Sequence, residues 1–330
     1  MIPFEYSAAT DLESAVHAGR SSSTRFVAGG TTLIDLMKLG VERPTHVVDL
    51  NSLATRDASL AAVSDLPGGG LRLGALAHMS DVAWDPRVRD RYPVVSRSLL
   101  LAASGQVRNM ATMAGNILQR TRCPYFRDTA TPCNKREPGS GCSAIHGVNR
   151  GHAILGTSEH CIATHPSDFA VALTALDAVV HVRAMGGART IPFGEFHVLP
   201  GTHPERETVL QPGDVITAID LPAIAFARHS TYLKVRDRAS FAFALASAAV
   251  ALDVQAGTIR GARIALGGVG TKPWRSHEAE RALIGRPADV ATYRAAAAAA
   301  LAGARPQTHN AFKVELAKRT LVRALTEVST

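Results

Sequence analysis

Four cysteines, Cys123, Cys133, Cys142 and Cys161, are the only ones in the chain, and they fall together as C-x9-C-x8-C-x18-C. Thiols grouped in this way can form disulfides, sit as inert buried groups, or bind metal. Two disulfides would need an oxidising compartment, and such staples suit small domains that cannot hold a core unaided. Structural zinc normally uses paired Cys-x2-Cys knuckles, and no such pair is present. An iron-sulfur cluster needs four thiolates converging from backbone that can be irregular, and Pro124, Pro132, Pro138, Gly139 and Gly141 hold this segment in turns. Residues 120–152 also carry Arg120, Arg122, Arg127, Lys135, Arg136 and Arg150 against Asp128 and Glu137, a net +4 out of the chain's +8. Basic groups there would lower thiol pKa values and offset an anionic cluster. Spacing alone leaves a metal centre and the structural uses of these thiols both open.

Three further segments can meet a ligand closely. Ala28-Gly29-Gly30-Thr31-Thr32-Leu33 places a glycine pair between an apolar strand and a helix, where exposed amides suit a diphosphate. Such glycine turns are common, and this one is neither a Gly-x-Gly-x-x-Gly fingerprint nor a P-loop. The stretch QVRNMATMAGN, residues 106–116, is a second run of small residues with hydroxyl and amide donors. In Thr164-His165-Pro166-Ser167-Asp168, an acid stands at a helix start, where it either caps the helix or accepts hydrogen bonds from cofactor hydroxyls.

The elements that must position these groups follow from periodicity and punctuation. Thr10-Asp11-Leu12-Glu13 has the form of a capping box, predicting a helix over 11–18. Residues 25–28 read as a strand, 31–39 as a helix with Leu33, Leu36 and Met37 on one face, and 46–50 as a strand parallel to the first. Further along, the pattern predicts a strand over 71–73, a helix over 93–103, a Gly- and Ala-rich turn at 111–116, a helix over 167–176 and a strand over 178–183. After about 226 the chain turns mainly extended (231–235, 264–266) and then helical. Ala295 to Ala300 are consecutive alanines, which favour helix through minimal side-chain entropy loss and read as scaffold.

A length of 330 residues points to two or three units, each with its own core. Hydrophobic residues at 46% and charged residues at 19% exclude a disordered or fibrous chain. No apolar run reaches the ~18 residues of a membrane span, and the opening MIPFEYSAATDLESA lacks the basic and apolar regions of an export signal. Aromatics make up 5% and do not interleave with the basic side chains, so no nucleic-acid partner is expected.

Taken in order, AGGTTL, QVRNMATMAGN, THPSD and YLKVRDRASFAFAL (232–245) resemble the FAD-binding subunit of the molybdenum hydroxylases, the xanthine dehydrogenase family, over essentially the whole chain. The insert RTRCPYFRDTATPCNKREPGSGC narrows the resemblance to the medium subunit of bacterial three-subunit aldehyde oxidoreductases, in which such an insert holds a [4Fe-4S] cluster. The resemblance implies an α+β fold: an FAD-binding domain of the vanillyl-alcohol-oxidase/PCMH type, then an antiparallel sheet with helices. The implied divisions are residues 1–55, a small α/β FAD subdomain; 56–225, a second FAD subdomain with the cluster insert at about 119–165; and 226–330, a C-terminal flavoprotein domain. It further implies that Phe26, Val27, Ala28, Gly29, Gly30, Thr31, Thr32 and Leu33 wrap the FAD diphosphate, and that Ala111, Thr112, Gly115, Asn116 and Leu118 line the other side of the flavin. Ser167 and Asp168 would hold ribityl or ribose hydroxyls, Ile216 and Lys234 would lie near the isoalloxazine or adenine, and Cys123, Cys133, Cys142 and Cys161 would ligate the cluster.

The same resemblance implies a division of labour. Substrate oxidation is expected on a large molybdenum-cofactor subunit, and a small subunit with [2Fe-2S] clusters would pass electrons to this chain, completing a heterotrimer. No catalytic base or nucleophile is expected here. An external acceptor such as a ferredoxin or quinone would take the electrons away, and the basic insert would suit an acidic one. The compartment expected is the periplasm, reached through a partner's twin-arginine signal, with the cytoplasm as the alternative. Rival readings are a 4-hydroxybenzoyl-CoA reductase-like or xanthine dehydrogenase-like complex, a self-contained flavin oxidase, and a structural module holding zinc.

Overall fold

A computed structural model describes residues 1–329. Its three sheets follow one another along the chain. In the first, strands Glu5–Ala8, His46–Asp49 and Thr24–Val27 lie parallel with His46–Asp49 in the centre. Parallel neighbours need a crossover, which the helices Leu12–Ala18 and Leu33–Lys38 supply. The first helix is capped one residue later than the sequence suggests. Asp11, in extended conformation, accepts the Ser14 amide at 2.7 Å, while Ser14 Oγ takes the Asp11 amide at 3.1 Å. Glu13, expected to reach back, points outward to Arg183 instead.

The second sheet has the order Val63–Asp65, Leu71–Gly74, Val215–Leu221, Val179–Ala184, Gly187–Pro192, with every neighbouring pair antiparallel. Helices Met79–Trp84, Pro93–Leu101 and Asp168–Ala175 share with it the largest apolar core, centred on Leu71, Leu73, Leu99, Phe169, Leu173 and Ile219. Burying each such side chain contributes about 1.5–3 kcal/mol. The expected turn at 111–116 is not a plain loop. Ser104 caps Gly105–Met110 and Thr112 caps Met113–Ile117, so two short helices meet at Ala111.

The third sheet, Trp274–Arg275, Thr258–Gly267, Ala246–Gln255 and Ser230–Val235, is antiparallel and covered by helices His277–Leu283, Val290–Ala300 and Phe312–Ser329. Ala296, Ala297 and Ala300 of the alanine run face this core, where small side chains let neighbouring helices approach. Among the described residues no helix is long and apolar enough to cross a membrane.

Candidate functional site

The strand Thr24–Val27 delivers the chain to the glycine pair at the mouth of a cleft of about 270 Å³. Phe26, Val27, Ala28, Gly29, Gly30, Thr31, Thr32 and Leu33 line one side, and Thr112, Gly115 and Leu118 line the other. Gly30 has φ +68°, a conformation that L side chains rarely adopt. Gly29 is required for a different reason: a Cβ there would stand 1.9 Å from the Met110 carbonyl oxygen. The two small-residue motifs are therefore pressed together, backbone on backbone. Across the cleft, Thr112 Oγ1 accepts the Gly115 amide at 3.3 Å, and the Ala111 carbonyl accepts the Met79 amide at 2.8 Å, anchoring the second motif to the core. No side chain caps Leu33–Lys38 at Thr32, so the amides beside the glycine pair stay available to a ligand.

Six of the expected site residues do not line this cleft. Ala111 is buried behind it. Ser167 Oγ donates to Asn116 Oδ1 at 2.6 Å while accepting the Ala170 amide, so Ser167, rather than Asp168, caps its helix. Asp168 is buried, 2.7 Å from both Lys234 Nζ and the Tyr232 hydroxyl. Burial raises its carboxyl pKa, with Lys234 and Tyr232 opposing the rise. Lys234 also donates to the Leu101 carbonyl, and Ile216 packs in the core of the second sheet.

A larger cleft of about 870 Å³ adjoins the first, sharing Arg25, Glu42, Leu118 and Arg120. At the junction runs an ionic chain that sequence reasoning missed. Arg25 meets Glu42 at 3.0 Å, Arg120 bridges Glu42 and Glu207 at 2.6 Å each, and Lys135 closes on Glu207 at 3.0 Å. Burial alone would raise the Glu207 pKa, but Arg120 and Lys135 outweigh it and hold the carboxyl below its ordinary value. His165 and His197, in contact with ring centroids 4.4 Å apart, line the same cleft, and burial lowers both pKa values, that of His197 to about 4.

The four cysteines are free and converge on one small cavity closed by Tyr125, Phe126, Pro132, Ala144 and Ala163. Among the described residues there is no disulfide. Cys133 and Cys142 face each other across an antiparallel bridge, steadied by Asn134, whose amide donates to the Gly141 carbonyl at 2.7 Å and whose Oδ1 accepts the Gly141 amide at 2.8 Å. Burial pushes the Cys123 thiol up to about 12 and raises that of Cys161. Such thiols stay protonated in water and become ligands only when a metal displaces the proton. Among the described residues no three His, Cys, Asp or Glu groups approach one point as a single ion demands. A multi-iron cluster differs, because each thiolate binds a separate iron and the sulfurs stand further apart. An all-thiol donor set around an apolar cavity fits such a cluster.

The basic surplus of the insert is not free charge. Arg120 and Lys135 are paired as above, Arg122 and Arg127 meet Asp35 at 3.2 and 2.9 Å, and Arg150 meets Asp237 at 2.9 Å. Arg136 donates to the carbonyls of Tyr125, Phe126 and Thr131. Arg120, Arg122, Arg127, Lys135 and Arg150 thus tie the insert to acids elsewhere in the fold, while Arg136 holds the insert's own backbone.

The sequence model of the FAD binding domain in molybdopterin dehydrogenase matches residues 2–224, and that of the CO dehydrogenase flavoprotein C-terminal domain matches residues 231–328. The aldehyde oxidoreductase FAD-binding subunit PaoB of Escherichia coli is 50% identical over 96% of this chain and 95% of its own length. The glyceraldehyde dehydrogenase medium chain of Sulfolobus acidocaldarius is 27% identical over 86% of this chain and 82% of its own. The solved carbon monoxide dehydrogenase of Hydrogenophaga pseudoflava superimposes with a TM-score of 0.76 at 26% identity, covering 100% of this chain and 99% of that one. With its glycine cleft and both sequence models in agreement along the chain, this protein belongs to the FAD-binding subunits of the molybdenum hydroxylases, the electron-transferring flavoproteins of multi-subunit oxidoreductases.

Proposed function

We propose that this chain is the flavoprotein subunit of a molybdenum-cofactor aldehyde oxidoreductase and that it carries a [4Fe-4S] cluster on Cys123, Cys133, Cys142 and Cys161 beside its FAD. The convergence of four free, largely buried thiols on one apolar cavity carries the reading. When bound, FAD takes up an electron pair and releases electrons singly, and an iron-sulfur cluster passes them one at a time. Residues 26–33 hold the diphosphate against unpaired amides, while Thr112, Gly115 and Leu118 close the opposite wall. Arg120 fixes the junction: it ties the N-terminal unit, through Glu42, to Glu207 and keeps the entrance to both clefts in one shape. Lys135, which meets Glu207, lines both the larger cleft and the thiol cavity. Ala111, Asn116, Ser167, Asp168, Ile216 and Lys234 are assigned to the flavin beyond the walls of the smaller cleft, Ala111 and Asn116 on the side of Thr112, Ser167 and Asp168 at its hydroxyls, and Ile216 and Lys234 near the isoalloxazine or adenine.

Aldehyde oxidation is assigned to a separate large molybdenum subunit, with a small [2Fe-2S] subunit between it and this chain and a ferredoxin or quinone as acceptor. The 50% identity to an aldehyde oxidoreductase subunit favours this over a self-contained oxidase. Assembly in the periplasm, with export driven by a partner's signal, completes the proposal. The test is metal and flavin analysis of the anaerobically purified chain, parent against Cys133→Ser. Iron, acid-labile sulfide and FAD in the parent, with iron lost and FAD kept in the variant, are expected. Zinc in place of iron, or aldehyde turnover by the isolated chain, would refute the assignment.

A further inference from the structure

The wall behind the thiol cavity is built by two parts of the chain far apart in sequence. His152 lies in the insert, 4% exposed, with Nε2 3.1 Å from Cys123 Sγ and with Nδ1 buried and unpartnered. A ring nitrogen with no acceptor keeps its lone pair, which puts the single proton on Nε2, facing a sulfur that accepts it once Cys123 is a deprotonated ligand. The segment carrying the ring is gripped from the C-terminal unit. Lys313, on the helix Phe312–Ser329, is fully buried and donates Nζ to the carbonyls of Gly151, His152 and Gly268 at 2.9, 3.0 and 2.7 Å. Asn310 Nδ2 donates to the carbonyls of His152 and Ala153 at 3.2 and 3.3 Å, and the His309 amide donates to Asn149 Oδ1 at 2.9 Å.

This is a costly construction for a wall. Burying an ammonium and leaving an imidazole nitrogen without a partner both oppose folding, and apolar side chains would fill the same space more stably. What the arrangement achieves is direction: Nδ1 meets no acceptor at hydrogen-bonding geometry, the nearby Asn149 carbonyl taking the His152 backbone amide at 3.0 Å, and the backbone cannot turn away from the sulfur. Resting on the cluster reading above, we infer that His152 is a positioning and tuning residue, whose Nε2–H donates to the Cys123 sulfur and is held there by Lys313, so that the pair raises the reduction potential of the cluster. The physical reason is that a donated hydrogen bond stabilises a ligand sulfur more as its negative charge grows, which favours the reduced state.

The experiment uses the full chain, purified anaerobically, as parent, His152→Leu, His152→Gln and Lys313→Met. Iron and sulfide are measured first, and the midpoint is then read by redox titration of the reduced cluster's EPR signal. All four proteins are expected to hold the parent's iron, with midpoints of the Leu and Met variants below the parent's. The Gln variant, whose amide can still donate, is expected to recover most of the shift. Coincident midpoints for His152→Leu and the parent overturn the inference, as does loss of iron from both His152 variants, which would mark the ring as merely structural. Should the Leu variant alone lose iron, Lys313→Met decides: a lower midpoint supports the hold on His152 and an unchanged one refutes it. A parent without iron fails at the earlier step, removing the cluster reading and this inference with it.

Discussion

Gly29→Ala is the sharpest perturbation the fold offers. The added methyl would lie 1.9 Å from the Met110 carbonyl oxygen, 2.6 Å from its carbon and 3.0 Å from the Ala111 Cα, all backbone atoms. Non-bonded heavy atoms settle near about 3.5 Å, so the two motifs must part by more than about 1 Å. No flexible side chain can absorb this, and Ala111 is tied through Met79 to the core. Overpacking of this kind costs about 1–3 kcal/mol, and at 1.4 kcal/mol per tenfold the FAD affinity falls roughly 5- to 140-fold. The assay is flavin-fluorescence titration of the apo chain, with thermal unfolding measured with and without FAD. Gly105→Ala is the control, since a Cβ there meets nothing within 4 Å and it opens a helix, where Ala is preferred over Gly. Gly29→Ala binding FAD as the parent does would refute the claim that the pressed motifs shape the cleft.

Arg120→Met leaves the buried Glu42 and the partly buried Glu207 with only Arg25 and Lys135 as partners, and a loss of about 1–3 kcal/mol in urea unfolding is expected. For His197 the sign follows from its depressed folded-state pKa. Between 6.5 and about 4 the unfolded chain binds a proton that the folded chain refuses, so stability is full above this window and is lost as pH falls through it. That loss is about 3 kcal/mol, and a His197→Gln variant, which keeps a donor for the Ile117 carbonyl, should show a correspondingly flatter stability profile from pH 7 to 4. Cys133→Ser should lose iron and broad visible absorbance while FAD absorbance remains, as read from spectra of anaerobic preparations.

How legible the molecule is from its sequence depends on how local each cause is. The strand, glycine pair and helix of residues 24–38 announce themselves because apolar periodicity and a glycine turn act over a few residues. The helix Asp168–Ala175 is equally plain. Strand Glu5–Ala8 gives no such signal: all four residues are exposed, so no alternation marks it, and only pairing with His46–Asp49 makes it a strand. The cap of the first helix slipped by one residue because Asp and Ser compete with Thr and Glu for the same amides, and backbone angles decide among them.

The candidate site divides in the same way. Residue type and order alone mark the thiols and the small-residue motifs, since thiolate chemistry and close backbone approach are properties of the residues themselves. Which atoms meet was settled by tertiary contact: Gly29 against Met110, Asp168 turned onto Lys234, and Arg120 strung between acids far off on either side of it in the chain. The insert's cations are counted in the sequence as a net +4, and the fold pins them with Glu42, Glu207, Asp35 and Asp237. A charge in sequence has a sign but no partner. Partners are chosen only when burial makes an unpaired charge too costly to keep, and burial belongs to the folded chain.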